Sequence, residues 1–211
     1  MDNKYTFVGL PEDISNLQLP EPSLVNFYRD LENRTYWIDD EIDNYSLDLV
    51  QYIIRWNIED KDIPKEERHP IYLLFYSPGG DLGIHSTISD IIMLSETPII
   101  GIAIGEVASA AAYIFLMCHK RYALPSAVFL FHKGSIAAKG NADDILGLIE
   151  DYQQQLQLLA DKISKHTAYT MEDIESHLMS DWYIRSDEAK KNGVIDGIVT
   201  DISYFYKTRS N

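Results

Sequence analysis

Cysteine is almost missing from this chain: Cys118 is the only one in 211 residues. A single thiol can build neither an internal disulfide framework nor a cysteine-rich zinc site. Basic residues are scarce as well, 18 Lys and Arg against 33 Asp and Glu, leaving a formal charge of −15. A chain this acidic, with no basic stripe, is repelled by phosphate backbones and anionic bilayers, which argues against nucleic acid and membrane as partners. The start, Met1-Asp2-Asn3-Lys4-Tyr5, has no basic stretch leading into an apolar one. No secretory leader is therefore expected, and the predicted location is the cytoplasm. Repeats and low-complexity tracts are absent too. So is a Gly-x-x-x-x-Gly-Lys-(Ser/Thr) loop, so any ATP hydrolysis must come from another protein.

Only one long apolar run occurs, Pro98 to Cys118, and Glu106 interrupts it. A carboxylate at mid-span costs roughly 2.5–3.5 kcal/mol on insertion scales, and Gly101 and Gly105 weaken the helix that a span requires. The run is better explained as a buried strand, a turn and a buried helix.

Hydrophobic residues at 45% and charged residues at 24% are ordinary for a globular chain, and the length suits one domain. Residues 1 to about 25 hold Pro11, Pro20 and Pro22 with little periodicity, which predicts an arm or loop. Thr35–Ile38 reads as a strand and 45–57 as a helix. From Ile71 the pattern alternates. Strand Ile71–Tyr76 leads to the turn Ser77-Pro78-Gly79-Gly80 and a helix to about Leu94. Strand Ile99–Ile104, the small-residue helix Ser109–Met117 and strand Ala127–Phe131 follow. This alternation predicts an α/β fold with mostly parallel strands covered on both faces. Apolar residues from Ile145 to Ile163 at steps of three and four predict a helix over about 142–165. Thr170 with Asp173 suggests a further helix start. Ser186 opens a short helix that Gly193 ends, and Val194–Val199 is a final strand.

Ser109 stands where a buried strand turns into a helix of small side chains. Capping that helix is the ordinary role for such a serine, but Ala110-Ala111-Ala112 leave it approachable. A hydroxyl needs a base, and of the six histidines only His132 leaves an apolar strand at the end where α/β sheets gather functional groups. Acyl transfer also needs donors for an oxyanion. The Gly79-Gly80 turn and the Ala110 N–H can supply them. Asp81, Glu106, Asp143 and Asp181 all remain candidates to orient the histidine, and spacing does not choose among them.

Several segments resemble the proteolytic subunits of Clp proteases. Ile71 to Gly80 is similar to their strand and Ser-Pro-Gly-Gly turn, and Gly105-Glu106-Val107-Ala108-Ser109 to their Gly-x-Ala-Ala-Ser nucleophile segment. Lys120-Arg121-Tyr122-Ala123-Leu124-Pro125, followed by Val128 to His132, resembles the run leading to their histidine. Asp181 to Ala189 resembles the segment bearing their aspartate, with Arg185 where serine is usual, and Asn192 to Asp196 is similar to their ending. The matches stand in family order over about residues 30 to 200.

The resemblance implies a single domain of spiral β-α units, crotonase-like, with a protruding handle helix for oligomerisation. Its parts would be an N-terminal arm at 1–28 that lines or gates an axial pore, a peptidase domain at 29–203 with the handle at about 133–166, and a tail at 204–211. It further implies a triad of Ser109 nucleophile, His132 base and Asp181 orienter, with Gly80 and Ala110 N–H groups as the oxyanion hole. No metal or cofactor is implied. The implied partners are copies of the chain in two stacked heptameric rings, a hexameric AAA+ unfoldase that uses ATP, and unfolded polypeptides as substrate. The chain departs from the family pattern at Lys133-Gly134 (usually Gln-Pro), at Ser180 (often arginine) and at Leu74 (commonly aromatic). Three other readings stand beside the peptidase. The first is a non-catalytic barrel subunit. The second is a crotonase-type acyl-CoA enzyme, which gives no reason for Ser109, His132 and Asp181 to occur together. The third is a Ser-Lys peptidase, disfavoured because Lys133 borders a histidine already in the base position.

Overall fold

A computed structural model describes residues 21–134, 139–202 and 204–207. Most of the expected pore-lining arm, part of the expected handle and the end of the tail lie outside the described residues.

The architecture is a sheet in the order β1-β2-β3-β4-β7, with β5 pairing β3 and β6 pairing β5. The strands are β1 (Thr35–Ile38), β2 (Ile71–Ser77), β3 (Ile99–Ala108), β4 (Lys120–Ala123), β5 (Val128–Phe131), β6 (Trp182–Arg185) and β7 (Gly197–Ile198). Every pairing is parallel except β5 with β6. The ten-residue β3 serves two neighbours on one side. Its first half pairs β4, Ile100↔Lys120 to Ala103↔Ala123, and its last residues pair β5, Glu106↔Val128 to Ala108↔Leu130. That split turns the sheet into the expected spiral of β-α units.

The helices are α1 (Pro22–Glu32), α2 (Asp48–Glu59), α3 (Leu82–Leu94), α4 (Ala110–Leu116), α5 (Ala142–His166), α6 (Met171–His177), α7 (Ser186–Lys191) and α8 (Tyr204–Lys207). The starts of α3 and α5 are each capped by a side chain just ahead of the helix. Asp81 Oδ1 accepts from Ile84 N at 2.9 Å at the head of α3, and Asn141 Oδ1 accepts from Asp144 N at 3.0 Å at the head of α5. The small helix α4 is buried at every residue and forms the centre of the core with Phe75, Phe129 and Phe131. Only Leu159, Ala160 and Ile163 of α5 are buried, so its first four turns project from the body.

Two guanidinium groups hold the elements in place. Arg34 forks onto the buried Asp60 at 2.6 and 2.8 Å, and Thr97 Oγ1 donates to the same carboxylate at 2.7 Å. Arg121 donates to Leu116 O at 2.8 Å, His166 O at 3.0 Å and Gly193 O at 3.1 Å. It thereby gathers the carbonyl ends of α4 and α5 and the turn after α7.

The structure departs from the sequence expectations at a few places. Helix α1 begins at Pro22, inside the stretch read as loop, because proline opens it at the first helical position. The expected strand over 194–199 shrinks to β7, because Val194 N and Ile195 N both donate to Ala189 O and close α7 instead. Strands β4 and β6 were not expected.

Candidate active site

Parallel pairing brings the carboxyl ends of β2, β3 and β5 together, where open α/β sheets place their ligands. Ser77 pairs with Val107 and Ala108 with Leu130, so the glycine turn, Ser109 and His132 all emerge at one edge. Ser109 sits at φ 52°, ψ −127°, a backbone conformation costing an L-residue roughly 1–3 kcal/mol. Its N–H donates to Leu130 O at 2.8 Å, which anchors the turn. Its side chain makes no capping hydrogen bond to α4. The ordinary role for a serine in this place is therefore not the one Ser109 performs, and its hydroxyl is left for something else.

The glycine turn lies against this serine. Gly79 has φ +97°, and a Cβ there would stand 2.6 Å from Ser109 Cβ and 2.9 Å from Ala110 N. A Cβ on Gly80 would stand 2.3 Å from Ile42 O. Both positions therefore require glycine. The turn is held from behind, since Ile42 N donates to Gly79 O at 2.7 Å and Asp81 N to Ile42 O at 2.8 Å. Gly79 N–H is occupied by Ser77 Oγ at 3.1 Å. Gly80 N–H and Ala110 N–H have no acceptor among the described residues. Unpaired backbone donors are rare in folded chains, and here two flank one serine.

The antiparallel pair β5–β6 brings one of the candidate carboxylates toward His132. Its register ends at Phe131↔Trp182, and one step further sets His132 opposite Asp181. His132 Nδ1 lies 3.8 Å from Asp181 Oδ1, an ion-pair distance slightly longer than a hydrogen bond. The competing carboxylates are elsewhere: Asp81 caps α3, Glu106 is exposed on β3, and Asp143 is exposed in the first turn of α5. Among the described residues no hydrogen bond joins Ser109 Oγ to His132. The His132 ring is half-buried and has no backbone carbonyl partner among the described residues, which is not the pattern of a satisfied core histidine.

Two tyrosines that sequence reasoning missed grip this segment from outside. Tyr113 Oη on α4 donates to His132 O at 3.4 Å, and Tyr152 Oη on α5 donates to Lys133 O. Nothing in their local sequence marks them, since both read as members of an apolar helical stripe.

The other histidines have different uses. His119 Nδ1 accepts from Ile99 N at 2.9 Å, and His177 stacks on Trp182 with ring centroids 4.5 Å apart. His85 is buried with Lys162 Nζ 3.3 Å from its Nε2, and burial first, then the Lys162 charge, pulls its pKa down to about 4. Among the described residues no cluster of three or more His, Cys, Asp or Glu could hold a metal ion. Cys118 is buried, and burial pushes its thiol pKa up to about 12, far from a thiolate nucleophile. No helix among the described residues is long and apolar enough to cross a membrane.

A family model described as Clp protease matches residues 28–201. The chain belongs to the Clp protease family. It is 30% identical over 173 residues to the ATP-dependent Clp protease proteolytic subunit of Dehalococcoides mccartyi strain BAV1, covering 80% of this chain and 83% of that one. The protein of the same description from strain CBDB1 matches to the same extent. Clp protease membership supports a role as a proteolytic subunit and accounts for the mixed α/β single domain.

Proposed function

We propose that this chain is a serine endopeptidase that cleaves unfolded polypeptides through an acyl-enzyme, as the proteolytic subunit of a Clp-type barrel. The observation that carries the reading is Ser109. It is strained and caps nothing, and it is flanked by the unpaired N–H groups of Gly80 and Ala110. Those donors suit the oxyanion of a tetrahedral intermediate, for which one donor is worth about 10²–10³ in rate. His132 accepts the Ser109 proton during attack on the scissile carbonyl and returns it to the leaving amine. A water then repeats the cycle on the ester. Asp181 holds the imidazole with Nδ1–H toward itself and stabilises the imidazolium. The 3.8 Å separation closes to a hydrogen bond when substrate is seated, as catalytic contacts often tighten only in the complex. No step calls for a metal or an organic cofactor.

The handle helix α5 leaves Leu146, Leu148, Ile149 and Leu158 exposed around its circumference, apolar surface suited to covering by further copies in stacked rings. Unfolding of substrates falls to a hexameric AAA+ partner that hydrolyses ATP, and the cytoplasm is the compartment where both would meet.

The open Ser109–His132 step favours a second reading, a barrel subunit that assembles without cutting. One experiment separates the two. The purified protein is treated with a fluorophosphonate and the adduct located by mass spectrometry, with Ser109→Ala as control. Adduct on Ser109 alone is expected. An assembled oligomer that stays unlabelled, with and without an unfoldase, overturns the peptidase in favour of the assembly subunit.

A further inference from the structure

The peptide that follows the base is held twice. Tyr113, almost wholly buried on the helix that begins just after Ser109, donates to the carbonyl of His132. Tyr152, on α5, donates to the next carbonyl, that of Lys133. Gly134 then takes φ +77°, and a Cβ built on it would lie 3.9 Å from the Tyr152 hydroxyl, so the tyrosine packs into the bend by which the chain leaves β5. Lys133 Nζ reaches Met179 Sδ at 4.0 Å, two residues before Asp181. The direction in which His132 leaves the strand is thus set from three sides, and one of them is a helix with no fully buried residue in its first four turns.

We infer that Tyr152 is a positioning residue for His132: its hydroxyl fixes the Lys133 peptide and through it the approach of the imidazole to Asp181. This rests on the peptidase reading given above. The physical argument is geometric. Pinning the Lys133 carbonyl removes freedom about the Lys133 ψ and Gly134 φ bonds, which narrows the directions in which the chain can leave His132, and the imidazole–carboxylate separation of 3.8 Å is where a small change of direction is felt most. Tyr113 supplies the second hold, from α4, which is buried throughout.

The variant is Tyr152→Phe, which removes the hydroxyl and keeps the ring. Ser109 acylation by a fluorophosphonate, and kcat on a fluorogenic peptide, are expected to fall roughly three- to tenfold with KM unchanged, the scale of one net hydrogen bond. Among the described residues Asp181 is the charged group against the His132 ring, at 3.8 Å. A Gln153→Ala variant, exposed on the same helix, is expected to match the wild type in both respects. Wild-type labelling at Ser109 with an unchanged rate in Tyr152→Phe overturns the inference and leaves the peptidase intact. If the wild type is not labelled, the decision passes to the NMR spectrum of ¹³C-labelled histidine at one fixed pH, the His132 ring signals being assigned from the spectrum of His132→Gln. Displaced His132 ring signals in Tyr152→Phe sustain the inference without any turnover, and an identical spectrum overturns it.

Discussion

Replacing Gly79 by alanine tests the candidate site more sharply than removing any catalytic side chain, because it leaves every functional group in place. The added methyl meets Ala108 O at 2.6 Å, Ser109 Cβ at 2.6 Å and Ala110 N at 2.9 Å, on a backbone already at φ +97°. The left-handed conformation costs an L-residue about 1–2 kcal/mol, and the collisions are with backbone and a Cβ, which cannot swing aside. Relief comes only if the turn retreats by roughly an ångström, the distance that restores ordinary van der Waals contact. The retreat draws Gly80 N–H away from Ala110 N–H and opens the space where an oxyanion would sit. A misplacement of about one ångström is worth roughly 10²-fold in rate, and outright loss of a donor about 10²–10³-fold. Fluorophosphonate labelling of Ser109 should therefore slow by roughly 10²–10³-fold. Stability should fall by about 2–4 kcal/mol, seen as a Tm lower by several degrees. Gly147→Ala is the control, since a Cβ there meets nothing within 4 Å. It should label normally and unfold slightly higher. Gly79→Ala labelling within about threefold of the wild type would refute the idea that this turn and Ser109 form one site.

Further tests follow from the same structure. Ser109→Gly and Ser109→Ala should both abolish labelling, but only the glycine variant should gain stability, by about 1 kcal/mol in thermal or denaturant unfolding, because φ 52° then carries no side-chain penalty. Asp181→Asn should fold normally and acylate far more slowly, with the histidine held in the wrong tautomer. An Asn variant as fast as the wild type would remove Asp181 from the site. For the buried His85, whose pKa is lowered from its ordinary 6.5 to about 4, the unfolded chain takes up its proton first as pH falls. The stability it contributes is complete above about pH 6.5 and is lost on the way down to pH 4, by about 1.4 kcal/mol per unit and on the order of 3 kcal/mol in all. His85→Gln should flatten that part of the stability profile, and an unchanged slope would contradict the assignment.

How far the sequence could be read depended on whether a residue's role was set by its neighbours along the chain or across the sheet. The stripe from Ile145 to Ile163 is a local pattern, and α5 lies within a residue of the expected span. Strand β1 was legible for the same reason, four β-formers ended by two aspartates. Strand β6, Trp182–Arg185, was not. Four residues with alternating burial carry too little signal, and their partner β5 is remote in sequence. Because β6 was invisible, the register that faces His132 with Asp181 was invisible too, and four carboxylates stayed level until the family resemblance was considered. Strand β4 was masked by Lys120 and Arg121. The latter's charge is spent inside, on three carbonyl groups, where composition suggests a solvated loop. The signal for α1 was present and discounted: Pro22 reads as a loop residue or as the first residue of a helix, and the helix was the outcome.

The Arg121 guanidinium divides α5 into two thermodynamic regimes. By bonding His166 O together with Leu116 O and Gly193 O, it joins the last turns of α5 to α4 and to the segment behind α7. Amides near Leu159, Ala160 and Ile163 should then exchange with solvent deuterium only when that whole unit opens, close to the global unfolding free energy. Amides from about residue 145 to 155, tied to the body chiefly through the Tyr152 hydroxyl, should exchange orders of magnitude faster in an isolated protomer. The boundary between fast and slow exchange along a single continuous helix is then a direct gauge of assembly. Any surface that settles on the projecting turns slows the fast half and leaves the slow half as it was.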